Sequence, residues 1–91
     1  MSDPVKLQPR LDLSAAAALK STLTDHKGDE LVMDLSDVKH LGALCLQVML
    51  AAAKSKVADG ISVSVINASD RVIDQLRVMG VTPETISRGQ P

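Results

Sequence analysis

Cys45 and His40 are the side chains whose types and spacing could support nucleophilic chemistry, in which an imidazole activates a thiol. The helix expected over residues 43–58 places Cys45 on its buried side, at the angular position of Met49 and Ala52. A thiol buried among apolar groups stays protonated and unreactive. We therefore interpret Cys45 as a core residue and predict that the protein has no catalytic residue and is not an enzyme.

The sequence offers no pattern for a metal, a phosphate group or paired carboxylates. His26 and His40 are not spaced for shared coordination, and neither a CxxC nor an HxxxH motif is present. Asp70 and Asp74 lie where solvated helical acids normally lie, and there is no GxGxxG or GxxxxGK[ST] motif. We predict no metal site and no cofactor.

Length and composition indicate one small globular domain over residues 1–91. The chain has 91 residues, of which 45% are hydrophobic and none is aromatic. Without aromatic rings, the usual stacking platform for single-stranded nucleic acid is missing. The formal net charge is −1 and there is no basic run, so neither nucleic acid nor an anionic membrane is predicted as a partner.

The location predicted from the sequence is the cytoplasm, without insertion into a membrane. The longest apolar stretch, residues 43–53, is interrupted by Gln47 and is too short to span a bilayer. The first ten residues contain no apolar signal segment, and a single cysteine cannot form an internal disulfide.

Hydrophobic spacing predicts alternating strands and helices, which is typical of an α/β fold. Apolar residues alternate in residues 31–36 and 61–66, as in strands, while residues 15–26, 43–58 and 70–79 have helical spacing. A short edge strand is also expected over residues 5–7. The order favours a mixed, mostly parallel sheet of four to five strands.

Polar residues on the second face of the strands predict how the helices are arranged. Strands covered on both faces are continuously apolar. Here Asp34 and Ser36 alternate with apolar residues in one strand, and Ser62 and Ser64 do so in the other. We therefore expect the helices mainly on one face, with the second face only lightly covered.

The loop before the helix of residues 43–58, together with the first turns of that helix, is the predicted docking surface for a partner. An edge of the sheet where strands end is where ligands and partners dock in open α/β folds. Leu44 lies near the outer stripe of the helix, although it could equally well cover the edge of a strand. The candidate partner-binding residues are His40, Leu41, Gly42, Ala43, Leu44 and Gln47.

The order of these segments resembles the STAS domain family of bacterial anti-sigma factor antagonists. The resemblance rests on Asp34-Leu35-Ser36-Asp37-Val38 followed by a loop and an apolar helix, on Leu11-Asp12-Leu13, and on residues 61–65 and Gly80 near the end. It covers nearly the whole chain. It implies a STAS-like fold, in which a mixed sheet is flanked by helices.

The helix start departs from the members of this family that a serine kinase regulates. Those members carry an Asp-Ser-Ser-Gly-like run in which the second serine is phosphorylated. Here the run is Gly42-Ala43-Leu44-Cys45, so Leu44 occupies the usual serine position and no hydroxyl is present to accept phosphate. We predict no phosphorylation at these residues and a docking surface that is always available.

Residues 40–47, His-Leu-Gly-Ala-Leu-Cys-Leu-Gln, resemble the corresponding motif of stand-alone STAS proteins from alphaproteobacterial chemotaxis systems. This resemblance implies an accessory that binds a chemotaxis histidine kinase and tunes its phosphorelay. Three alternatives remain open: an anti-sigma factor antagonist without the phospho-switch, the STAS subunit of a lipid-transporting ABC complex, and a hydrolase built on Cys45.

Overall fold

Short strands and helices alternate along the protein in the computed structural model, which describes residues 3–89. In chain order the elements are β1 (Val5–Lys6), β2 (Arg10–Leu11), a 3₁₀ turn (Leu13–Ala15), α1 (Ala16–Asp25), β3 (Glu30–Asp34), β4 (His40–Leu41), α2 (Ala43–Ala58), β5 (Ser62–Ile66), α3 (Asp70–Val78) and α4 (Pro83–Ser87). The α/β class predicted from hydrophobic spacing is confirmed.

The strands form two parallel sheets, one of three strands and one of two. β3 is the central strand of the larger sheet, and Met33 is in register with Val5 of β1 and Val65 of β5. β2 pairs with β4. Pro9 separates β1 from β2 and has no N–H to extend the ladder; its carbonyl oxygen instead accepts a hydrogen bond from the Lys39 N–H at 2.8 Å. A parallel arrangement is therefore confirmed, but a single four- to five-stranded sheet is not formed.

One face of the larger sheet carries the core. Its strand residues Leu31 and Met33 are fully buried, and Val63 is nearly so. α2 and α3 bury apolar side chains in the same cluster: Cys45, Leu46, Met49 and Ala53 from α2, and Val72 and Leu76 from α3. This agrees with the prediction that the helices lie mainly on one face.

The opposite face of the sheet is lightly covered, as its polar residues predicted. Lys6 and Ser62 are exposed there, and Asp34 and Ser64 are half-buried. Val32, at the centre of β3, is the buried exception on this face.

Side-chain caps set the starts of the 3₁₀ turn and of α3. The Asp12 carboxylate accepts hydrogen bonds from the Ser14 N–H at 3.1 Å and the Ser14 hydroxyl at 2.7 Å. These bonds form the 3₁₀ turn, so α1 begins at Ala16 and not at residue 15. Ser69 caps α3, accepting a hydrogen bond from the Val72 N–H at 3.3 Å.

α2 is the longest helix and the element that positions the candidate site. Its 16 residues make it roughly 24 Å long at about 1.5 Å per residue. It packs against α1 on one side and against α4 and β5 on the others. Across residues 3–89, no helix combines the length and the apolar character needed to cross a membrane.

Candidate functional site

Backbone pairing between β2 and β4 holds the start of α2 in place. Arg10 is in register with His40 and Leu11 with Leu41, and the Gly42 N–H donates to the Leu11 carbonyl oxygen at 2.9 Å. Gly42 is the N-cap of α2 and has an extended backbone. The chain therefore passes from strand to helix within one residue, which fixes the direction of the first helical turn.

The structure brings most of the predicted docking residues to the surface. His40, Ala43 and Gln47 are exposed, and Gly42 is half-buried. Leu44 is 42% exposed and is one of the few large apolar side chains exposed within residues 3–89. An apolar side chain at this position is thus accessible to a partner.

Leu41 is the exception and requires a correction. Its side chain is only 2% exposed and belongs to the core. Successive side chains of a strand point to opposite faces, so an exposed His40 in β4 places Leu41 inside. We therefore define the α2-start surface as His40, Gly42, Ala43, Leu44 and Gln47.

Gln75 of α3 fixes the loop from the core side, and it was not among the residues predicted from the sequence. Its Oε1 atom accepts a hydrogen bond from the Leu41 N–H at 2.8 Å. The side chain is half-buried and lies on the same stripe as Val72, Leu76 and Met79. A polar residue within an otherwise apolar stripe is the sequence signal that could have indicated this contact.

Gly42 lies close to the backbone of β2. A Cβ atom at this position would lie 3.3 Å from the Leu11 carbonyl oxygen and 3.8 Å from His40 Nε2. The first distance is tight for a carbon–oxygen contact. The absence of a side chain at residue 42 therefore lets β2 approach the helix start closely.

Cys45 is buried, as the helical pattern predicted. Its side chain is 0% exposed, and its Sγ atom donates to the Asp12 carbonyl oxygen at 3.2 Å. Burial, followed by the nearby Asp12 charge, raises the pKa of the Cys45 thiol. No hydrogen bond joins His40 to Cys45 in the described chain, so the arrangement does not supply an activated thiolate.

A groove between α1 and α2 adjoins the α2-start surface. Both helices follow a strand of the parallel β2–β4 pair, and they pack side by side. The groove has a volume of about 390 Å³ and includes Leu44 and Gln47. Its full lining is Lys20, Thr24, Leu44, Gln47, Val48, Ala51, Ala52 and Ser55.

A second exposed leucine lies at the same end of the molecule. Leu13 is 77% exposed. Cys45 donates a hydrogen bond to the Asp12 carbonyl oxygen. Leu44 precedes Cys45 in the chain, and Leu13 follows Asp12. Leu13 and Leu44 are therefore exposed leucines carried by two neighbouring elements, the 3₁₀ turn and the first turn of α2.

The exposed groups at the start of α2 are of the kind that can contact a partner. Within the described residues, no three metal-ligating side chains come together. The exposed groups are aliphatic side chains, one amide and one imidazole. Such a surface can bury apolar area against a partner and make a few hydrogen bonds at its rim.

Comparisons with known proteins agree with this fold. A family model described as "Mlab, STAS domain" matches residues 2–83. The crystal structure of a sulfate transporter family protein from Wolinella succinogenes is similar, with a TM-score of 0.73 and 16% sequence identity. The match covers 86% of this chain and 66% of that one, slightly less than two thirds of its length, and at this identity it shows the fold alone. No curated protein sequence matched significantly.

Proposed function

The chain belongs to the STAS domain family, and from that premise we propose that it is a non-catalytic regulatory module that binds a protein partner through the α2-start surface. Family membership supports a binding module in general terms. The observation that carries the specific proposal is Leu44, which is 42% exposed in the first turn of α2. An apolar side chain kept accessible there has more to gain from a partner than from solvent.

The partner we propose is a histidine kinase of a chemotaxis system, whose phosphorelay the protein would tune. Support comes from the resemblance of residues 40–47 to the motif of stand-alone STAS proteins from such systems. In the structure, Leu44 and Gln47 are exposed and could contact the kinase, while Cys45 and Leu46 are buried and anchor the helix.

Binding would not depend on phosphorylation of the helix start. Residues 42–45 contain no hydroxyl group. The N-terminus of a helix favours a phosphate group, but there is no side chain here to carry one. We therefore propose that the α2-start surface can always bind its partner. Binding would then be regulated through the partner or through the concentration of the protein.

The proposal is tested by measuring the affinity for a purified chemotaxis histidine kinase from the same cell by calorimetry. Burying a leucine is worth roughly 1.5–3 kcal/mol, so Leu44→Asp, which also adds a charge to be desolvated, should weaken binding at least about tenfold. The same assay with an ATP-binding anti-sigma kinase and with an ABC ATPase tests the two alternative partners.

Val57 provides a matched control on the same helix. It is also 42% exposed, but it lies near the other end of α2. Val57→Asp should leave the affinity unchanged. Equal affinities for the wild type and Leu44→Asp would show that the binding surface lies elsewhere.

A further inference from the structure

We propose that the groove between α1 and α2 receives an amphipathic helix of the partner, and that acidic side chains flank the apolar ridge of that helix. The proposal rests on the proposed function, because the groove shares Leu44 and Gln47 with the α2-start surface. The inference adds that the groove determines which partner is bound, and that the groove favours a helix with acidic flanks.

The shape of the groove suits a helix. Its lining on α2 runs from Leu44 to Ser55, and the 11 residue-to-residue steps between them (55 − 44) span roughly 16 Å at about 1.5 Å per residue, or about three helical turns. Small side chains, Ala51 and Ala52, are part of the lining. The chain has no aromatic residue, so bulky side chains that fill this space must come from the partner.

The groove is also open to solvent along one side. A small apolar ligand is normally enclosed over most of its surface. A helix needs only one face covered, since its opposite face is polar. An open aliphatic trough between two helices therefore fits a third helix better than it fits an acyl chain.

The charge of the groove determines which charged residues can flank the apolar ridge of the bound helix. Lys20 is the charged side chain in the lining, and the other polar groups there, Thr24, Gln47 and Ser55, are neutral. No carboxylate lines the groove, and within residues 3–89 Lys20 has no ion-pair partner. An acidic residue of the partner would complement Lys20, whereas a basic residue would be repelled.

The groove is continuous with the α2-start surface. Leu44 belongs to both surfaces. A partner whose helix lies in the groove would therefore reach Leu44, and it could contact His40 and Gly42 at the start of α2. This continuity makes the groove and the α2-start surface parts of one binding site.

The first test uses two synthetic amphipathic peptides of about 14 residues, roughly four helical turns. Both carry the same ridge of leucine and phenylalanine, one with glutamate flanks and the other with lysine flanks. We expect the acidic peptide to bind with amide chemical-shift changes at Lys20, Thr24, Val48 and Ala51. Lys20→Glu should weaken this peptide about tenfold and reverse the preference between the two. Arg71→Glu, with the same charge change on α3, should have no effect.

The second test uses the histidine kinase and separates this inference from the proposed function. Ala51→Gln fills the groove at an exposed helical position, and Ala58→Gln makes the same change at the end of α2, outside the groove. We expect Ala51→Gln alone to weaken kinase binding, by about tenfold or more.

The outcomes of these two tests distinguish the groove proposal from the proposed binding of a histidine kinase. Kinase binding that is lost in Leu44→Asp but retained in Ala51→Gln would overturn the groove and leave the proposed function standing. Selective binding of the acidic peptide without any kinase binding would support the groove and overturn the kinase. Equal binding of both peptides, preferential uptake of a fatty acid into the groove, or a dimer whose interface is the groove would each overturn the helix proposal.

Discussion

Leu44 and Cys45 are neighbours in the sequence but occupy opposite environments. Leu44 is 42% exposed, whereas Cys45 is completely buried and bonded to the Asp12 backbone. Successive residues of a helix are rotated by about 100°, so one step takes the chain from the surface into the core. The same substitution should therefore affect binding at one position and stability at the other.

Cys45→Asp should destabilise the protein strongly. A carboxylate at this position would be buried without a cationic partner, which costs about 3 kcal/mol or more. Leu44→Asp, by contrast, should change the free energy of unfolding by less than about 0.5 kcal/mol, as is usual for exposed positions. Urea denaturation followed by far-ultraviolet circular dichroism measures both. Similar losses in the two variants would contradict the assigned orientations.

Asp34 should show acid-dependent behaviour at the end of β3. Its Oδ1 atom accepts hydrogen bonds from the Ser36 N–H at 2.9 Å and from Asn67 Nδ2 at 3.2 Å. The Ser36 backbone bond is the largest cause that lowers the pKa of Asp34 below its ordinary value of 3.8, with the Asn67 amide contributing. Because the folded state favours the charged form, this contribution to stability is present above pH 3.8 and is lost as the pH falls through the lower folded pKa.

Asn67→Gly tests this assignment. Asn67 has a φ of 60°, a conformation that glycine also adopts readily, so the substitution removes the amide without backbone strain. The pKa of Asp34, measured by a carbon-detected NMR titration, should rise towards 3.8. An unchanged pKa would mean that the amide does not contribute.

At the scale of elements, α3 supports the candidate site without lying on its surface. Gln75 of α3 accepts the hydrogen bond of the Leu41 N–H, just before the start of α2. This bond connects two elements that are far apart in the sequence. The position of the docking surface thus depends on how α3 packs.

Gln75→Leu should destabilise the protein and loosen the loop. The substitution leaves the Leu41 N–H without its acceptor, at a cost of about 1–3 kcal/mol. Hydrogen exchange of the Leu41 amide should accelerate. Gln75→Glu keeps an oxygen in place and should retain most of the protection, which separates loss of the acceptor from loss of packing. Unchanged exchange in Gln75→Leu would show that the bond does not hold the loop.

The larger elements were predictable because their side chains repeat with a clear period. The alternation around Leu31 and Met33, and around Val63 and Val65, predicted both long strands and the face that carries the core. β2 and β4 have only two residues each, which is too short to show alternation. Their pairing, and with it the burial of Leu41, depends on contacts between distant segments.

The candidate site was predictable only in part for the same reason. The helical period placed Leu44 and Gln47 outside and Cys45 inside. The groove, however, needs α1 and α2 side by side, and the sequence does not state which helices are neighbours. Neither the groove nor Lys20 in its lining was therefore predicted from the sequence.

At the scale of the whole molecule, the turn that follows α4 packs against α2. Gly89 is buried, and a Cβ atom there would lie 2.6 Å from Lys54 Cα and 2.8 Å from Lys54 N. These are backbone atoms of a packed helix, so they cannot move aside as a flexible side chain would. Contact between α4 and α2 therefore depends on this glycine.

Gly89→Ala should cost clearly more stability than Gly60→Ala. Both glycines have positive φ, 68° and 79°, so each substitution incurs a backbone penalty of about 1–2 kcal/mol. A Cβ at residue 60 meets nothing within 4 Å, whereas residue 89 adds the clash with Lys54. Thermal unfolding of the two variants measures the difference. Equal shifts in melting temperature would show that Gly89 does not pack closely against the Lys54 backbone.

The parallel pairing of the strands has a consequence for how the protein acquires its structure. Register partners are separated by 28 residues between β1 and β3 (33 − 5), by 30 between β2 and β4 (40 − 10), and by 32 between β3 and β5 (62 − 30). Among residues 3–89 no strand pairing is local, so each requires closure of a long loop before it stabilises the chain. We expect folding to be slower than that of a helical bundle of equal size. On the ribosome, the central strand would remain unpaired on one side until β5 has emerged.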